Sequence, residues 1–186
     1  MNKTVKAALI AVLMISLCIL SGCTKKEREQ TKYIRCTGNT MEPTYSEGQL
    51  LKCEDTEKVN KFERGDVVVF EAPSALKNEN VDYSNPIAVY NDDNKSEVQY
   101  IKRIIGIAGD RIKIENNKVF LNGELLKEEY LKPETNTTDV YGDYTDITVP
   151  DGCIYVLGDN REVSVDSRRF GCIPIEKVEY RVIEYR

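Results

Sequence analysis

Arg111-Ile112-Lys113-Ile114-Glu115-Asn116-Asn117-Lys118-Val119-Phe120-Leu121-Asn122-Gly123-Glu124-Leu125-Leu126 is the stretch that decides the fold. Its first five residues alternate polar and apolar, which puts Ile112 and Ile114 on one face of a strand. Asn116-Asn117 interrupts the pattern before Lys118 to Leu121 resume it. Asn122-Gly123 then supplies residues that tolerate a left-handed backbone, as a two-residue hairpin turn requires. Working outward, Val67-Val68-Val69-Phe70 is a β-branched run, and Cys153-Ile154-Tyr155-Val156-Leu157 is an apolar run of strand length. Val178 to Tyr185 can supply a further strand. Little of the chain has helical periodicity, so the sequence predicts a mostly-β domain with one core. Ala72 to Val98, rich in Asn, Asp, Ser and Lys, and Lys132 to Asp146, rich in Thr and Asp, are expected to be surface insertions.

The chain has 186 residues, 41% of them hydrophobic, enough for one compact core once the N-terminus is set aside. A net charge of −5 and the lack of a basic stripe make nucleic acid an unsuitable partner. There is no histidine. That excludes Ser-His-Asp and Cys-His catalysis and any His-ligated metal. A side-chain nucleophile must then be activated by a lysine, a carboxylate or a free amine. The spacings of Cys36, Cys53, Cys153 and Cys172 fit no metal knuckle, so neither metal nor other cofactor is expected. Their pairing cannot be read from the sequence.

Met1 to Lys6 is a short basic leader, and Ala7 to Gly22 is an almost unbroken apolar run. As a helix the run would span roughly 24 Å, short of the roughly 30 Å hydrocarbon core, so it reads as an export signal. It ends in Leu20-Ser21-Gly22-Cys23, which resembles the lipobox of bacterial lipoproteins. That resemblance makes Cys23 the candidate for lipidation. The alternative is a short uncleaved anchor with Lys3 and Lys6 inside. Either reading places the rest of the chain outside the cytoplasm and beside membrane lipid. The expected division is 1–23 as signal or anchor, 24–35 as linker and 36–186 as the extracytoplasmic domain.

Four segments carry the chemistry: Gly38-Asn39-Thr40-Met41-Glu42-Pro43-Thr44, Arg64-Gly65-Asp66-Val67-Val68-Val69-Phe70, Tyr100-Ile101-Lys102-Arg103-Ile104-Ile105-Gly106-Ile107-Ala108-Gly109-Asp110, and Gly158-Asp159-Asn160-Arg161-Glu162-Val163-Ser164-Val165-Asp166-Ser167-Arg168-Arg169-Phe170-Gly171. In order and spacing they resemble the signature boxes of the bacterial type I signal peptidases, Ser/Lys endopeptidases that remove signal peptides from exported proteins. The resemblance implies a signal-peptidase-like domain of coiled antiparallel sheets. It also implies exported preproteins as substrates, cleavage after small residues, and a monomer.

Carried over residue by residue, the resemblance makes Lys102 the general base. A lysine in an apolar setting loses its proton more easily because burial penalises the ammonium. Ser164 matches the serine that hydrogen-bonds and orients that lysine. Asp159, Asp166 and Arg168 match the ion network that shapes the site. Met41 matches the residue beside the nucleophile that lines the small-residue pocket, and the Thr40 backbone N–H would serve the oxyanion hole. Thr40 departs from the pattern, because the family has serine there. Its hydroxyl is usable, but the added methyl stiffens χ1 and occupies space beside the scissile carbonyl. Two readings stay open: a working Thr40/Lys102 peptidase, or a silent homologue that binds signal peptides or a partner as a lipoprotein. Ala108, where the family has proline, loosens one turn.

Overall fold

Asn116 and Asn117 adopt φ of 51° and 62°, and Asn122 and Gly123 adopt 54° and 87°. Both pairs thus form the left-handed hairpin turns that their residue types favour. The computed structural model describes residues 32–59, 61–71, 99–137 and 144–185. The leader with Cys23, most of the stretch read as linker, and the insertion at 72–98 lie outside the described residues. Among the described residues no helix is long and apolar enough to cross a membrane.

The elements are β1 (Lys32–Arg35), β2 (Leu50–Asp55), β3 (Val67–Glu71), β4 (Gln99–Ile107), β5 (Arg111–Glu115), β6 (Lys118–Leu121), β7 (Glu124–Leu125), β8 (Asp146–Thr148), β9 (Cys153–Leu157), one helical turn α1 (Ser167–Phe170), β10 (Ile173–Pro174) and β11 (Val178–Tyr185). They form a mostly-β fold of two antiparallel sheets. The larger has the order β1-β2-β11-β3-β4-β9-β10, and the smaller has β7-β6-β5-β8. The first strand begins inside the stretch read as linker. Ile34 explains why: it is fully buried, so the alternation that starts at Lys32 already serves the core. β11 is not an added edge. It pairs with β2 on one side and β3 on the other.

Alternation along β3 and β4 splits the core between the two faces of the larger sheet. Val67, Val69 and Ile101 pack with Ile34, Leu51 and Met41. Val68, Phe70, Tyr100 and Ile104 pack with Ile154, Val156 and Val178. A third cluster joins the sheets through Ile105, Ile112, Tyr155 and Leu157. Each of these side chains, fully buried, contributes about 1.5–3 kcal/mol. β4 is the element common to all three clusters, and it carries Lys102 through the centre of the molecule.

Gly106, at a register shift between β4 and β9, lets the two sheets close on each other. A Cβ there would stand 2.8 Å from Ile112 Cδ1. Residues 132–137, expected as part of a surface loop, reach inward at one point: Thr137 is buried. Residues 138–143 lie outside the described residues.

Candidate active site

Lys102 owes its place to strand pairing. The β3–β4 ladder sets it opposite Val68, with Ile101 opposite Val69. Its side chain is wholly buried. The ammonium donates to Ile101 O at 3.0 Å and to Thr40 Oγ1 at 3.2 Å. Its Nζ also lies 5.1 Å from the centre of the Tyr100 ring, which stacks on Phe70 and meets Phe170 edge-on. Burial is the largest influence on this group and lowers it from 10.5 to about 8. Asp166, Cys36 and Asp159 pull in the opposite direction, and Arg168 adds to the lowering. The amine is therefore within reach of deprotonation near neutral pH.

Thr40 sits in the turn between β1 and β2, buried to 7% exposure. Gly38 opens that turn at φ 75°, and Glu42 N and Tyr45 N donate to the carbonyls of Asn39 and Met41. The loop after β9 fastens the turn from the other side. Asn160 N donates to Thr40 O at 3.0 Å, and Asn160 Nδ2 donates to Asn39 O at 3.1 Å.

Gly158 is where the two loops pass closest. A Cβ there would lie 2.7 Å from Thr40 O and 2.6 Å from Ser164 Cβ, with Ser164 Oγ closer still. Gly158→Ala is accordingly expected to cost about 1–3 kcal/mol through forced displacement. It should also lower cleavage by more than the loss of folded protein accounts for, as paired urea melts and rate assays would show. Unchanged kinetics would refute this account of the loop contact.

The expected ion network exists but divides into two. Asp159 accepts a bidentate pair from Arg103, Nε to Oδ1 at 2.8 Å and Nη2 to Oδ2 at 2.6 Å, plus the Thr44 hydroxyl at 2.5 Å. Asp166 accepts from Arg168 Nε at 2.8 Å and Nη2 at 2.9 Å, and from the Gly158 N–H at 3.1 Å. It also caps α1 by accepting from Arg168 N. Charge-assisted, bidentate pairs of this kind fix loop geometry.

Ser164 is buried beside Gly158, but its Oγ has no hydrogen-bond partner. The expected bond to Lys102 is not made here, because the lysine bonds to Thr40 and the Ile101 carbonyl instead. Met41 is fully buried in the cluster with Ile34 and Val69. All four described cysteines are free thiols. Burial pushes Cys36 up despite the field of the nearby lysine, which leaves it a poor nucleophile.

Four further residues surround the site: Glu128 and Tyr130 went unremarked in the sequence, while Thr44 closed the first signature segment and Thr137 lay in the Thr-rich insertion, neither with a role assigned. Thr44 bonds Asp159, and the other three surround Arg161. Glu128 and Tyr130 lie in a polar run whose spacing carries no signal. Arg103 was visible only as a neighbour of Lys102.

A buried amine against a hydroxyl, in a chain without histidine, is an arrangement suited to lysine-assisted nucleophilic attack. Comparison with known proteins shows the family. The sequence matches the family described as "Signal peptidase, peptidase S26" over residues 1–184. It is 36% identical over 155 residues to a signal peptidase I of Bacillus caldolyticus, covering 78% of this chain and 73% of that one. It is 32% identical over 161 residues to signal peptidase IB of Staphylococcus aureus (strain COL), covering 78% and 72%. A crystal structure of a signal peptidase I from Enterococcus faecalis V583 is similar at a TM-score of 0.45 and 25% identity, over 68% of this chain and all of that one. A match that runs nearly the length of the sequence and takes in Thr40, Lys102 and the loop after β9 has one meaning: the chain belongs to the bacterial type I signal peptidases, of the S26 peptidase family.

Proposed function

We propose that this protein is a membrane-attached endopeptidase that removes signal peptides from exported preproteins, with Thr40 as nucleophile and Lys102 as general base. Membrane attachment rests on the leader, through either an uncleaved anchor or a lipidated Cys23, and puts the domain on the extracytoplasmic face. The observation that carries the dyad is the 3.2 Å contact between a fully buried Lys102 Nζ and Thr40 Oγ1. That separation serves proton transfer in either direction.

In the neutral form, Lys102 accepts the Thr40 hydroxyl proton as Oγ1 attacks the scissile carbonyl carbon. The resulting ammonium returns a proton to the leaving amine, and the threonyl ester remains. Neutral Lys102 then takes a proton from water as its oxygen attacks the ester carbonyl, and hands that proton to Thr40 Oγ1 as the acyl C–O bond breaks, releasing the signal peptide and restoring both groups. The backbone N–H of Thr40 faces the developing oxyanion. Asp159, Asp166 and Arg168 hold the loop, and Ser164 and Met41 line the site without taking a proton. Small residues before the cut fit because the Thr40 methyl and buried Met41 leave little room.

The test is cleavage of a model preprotein in detergent by the wild type, Thr40→Ser and Lys102→Ala. Wild-type cleavage that Lys102→Ala abolishes is the expected result. Because the base works unprotonated and its pKa is lowered to about 8, kcat/KM should climb through about pH 8. A flat profile with chemistry rate-limiting would remove Lys102 from the role. Cleavage by Thr40→Ser alone would instead favour the signal-peptide-binding reading.

A further inference from the structure

Arg161 is one of the largest fully buried side chains in the protein. It belongs to the loop after β9, yet most of its partners come from elsewhere. Its guanidinium donates to Glu128 at 2.5 Å and 3.3 Å, to Thr137 Oγ1 at 2.8 Å and to the Tyr130 hydroxyl at 3.4 Å. Within the loop its Nε donates to Gly158 O at 2.9 Å. Tyr130 in turn donates to Glu128 at 2.7 Å. The face of the same Tyr130 ring covers the guanidinium of Arg103, 4.1 Å from the ring centre.

Two arginines from different elements therefore meet on one tyrosine. Arg103, beside Lys102 on β4, grips Asp159. Arg161 holds the carbonyl of Gly158. Between them lies Asn160, whose backbone and side-chain N–H groups hold the carbonyls of Thr40 and Asn39. The path from Tyr130 through Arg103 and Asp159 to Asn160 and Thr40 is continuous. Stability does not account for it, since a buried ion pair seldom outperforms apolar residues of the same shape.

We propose that Glu128 and Tyr130 are positioning residues that clasp Arg103 and Arg161 together, fix the loop after β9 against β4, and thereby set the separation of Thr40 from Lys102. The proposal rests on the Thr40/Lys102 reading above. Neither residue touches the reacting atoms; both act through the two arginines. A displacement of about 1 Å in a catalytic constellation can cost 10²-fold in rate.

The experiment compares Glu128→Gln, Tyr130→Leu and Tyr130→Phe with the wild type in preprotein cleavage. Glu128→Gln and Tyr130→Leu should lose roughly 10²-fold in kcat while KM stays within about threefold. Tyr130→Phe keeps the stack over Arg103 but loses the hydroxyl that meets Arg161 and Glu128, so its rate should fall between those of the wild type and Tyr130→Leu.

The acid limb of the pH profile supplies a readout that a merely structural role would not move. The groups that face Lys102 are Asp166, Cys36, Asp159 and Arg168, together with the Tyr100 ring. Freeing Arg103 leaves Asp159 less neutralised, so in Tyr130→Leu the limb should move to higher pH by about half a unit. Unaltered kcat, or a rate loss that vanishes once unfolded protein is subtracted, would overturn the clasp. If only Thr40→Ser cleaves, the comparison is made in that background with the same expectations. If neither cleaves, the dyad reading falls, and urea midpoints of Tyr130→Leu, Arg103→Met and the double variant decide the clasp. Additive shifts overturn it and non-additive shifts sustain it.

Discussion

Lys102→Met should unfold at a higher temperature than the wild type at pH 7 while losing roughly 10²–10⁴-fold in cleavage rate. Methionine has a similar length and no charge to desolvate. In the unfolded chain the lysine titrates near 10.5, and in the folded protein burial brings it to about 8. Between those values the unfolded state binds more protons, so wild-type stability rises with pH across that window.

Below about pH 8 the wild type carries the full penalty of a buried ammonium, and the gap between the two values corresponds to about 3 kcal/mol. The substitution also forfeits the bonds to Ile101 O and Thr40 Oγ1, at about 1 kcal/mol each. The expected net gain at pH 7 is therefore about 1–2 kcal/mol, and it should be gone above about pH 10.5. Denaturant melts at pH 7 and pH 11 would show this. A difference that does not change with pH would mean that Lys102 is not held as a depressed base.

Asp166→Ala should produce the largest loss of stability. The carboxylate neutralises a fully buried Arg168 and receives the N–H groups of Gly158 and Arg168. Without it the arginine keeps the carbonyls of Arg161 and Ser164 but loses the carboxylate that takes its Nε and Nη2. Removing one partner of a buried pair costs about 3–5 kcal/mol, because the other charge stays desolvated. Thermal melts should drop by about 10 °C or more.

The double variant Asp166→Leu with Arg168→Met should recover much of that loss, because two apolar side chains leave no buried charge behind. A double variant no more stable than Asp166→Ala would refute the pairing as the cause. Asp166 also heads the charges that raise Lys102, so in protein that still folds its removal should move the acid limb of the rate profile to lower pH.

Much of the site was legible because its residue types are rare in combination. A lysine beside Ile101 in an apolar strand, a hydroxyl beside Met-x-Pro and a loop of alternating charges point to the family without reference to the fold. The hairpins were legible for a local reason: Asn-Asn and Asn-Gly encode their turns within two residues.

What the sequence withheld was non-local. Glu128 and Tyr130 read as a solvated run because their partners, Arg103 and Arg161, lie far away in sequence. Asp159 read as one network with Arg168, whereas the fold gives it to Arg103, which strand pairing brings alongside. Lys32–Arg35 looked like linker because four residues are too few to show a period. Ser164 lies beside Gly158 with no bond to Lys102, because a hydrogen bond depends on ångström-scale geometry that a motif does not encode.

The position of β11 bears on how the enzyme comes into being. Of the described strands it is the last to be synthesised, yet it is the seam between β2 and β3. Thr40 belongs to the half of the sheet on one side of that seam, and the strand of Lys102 belongs to the other. The backbone ladder that unites the two halves is thus the last to be synthesised. Whatever the two residues do together therefore depends on the last strand as well as on the turn and the strand that carry them.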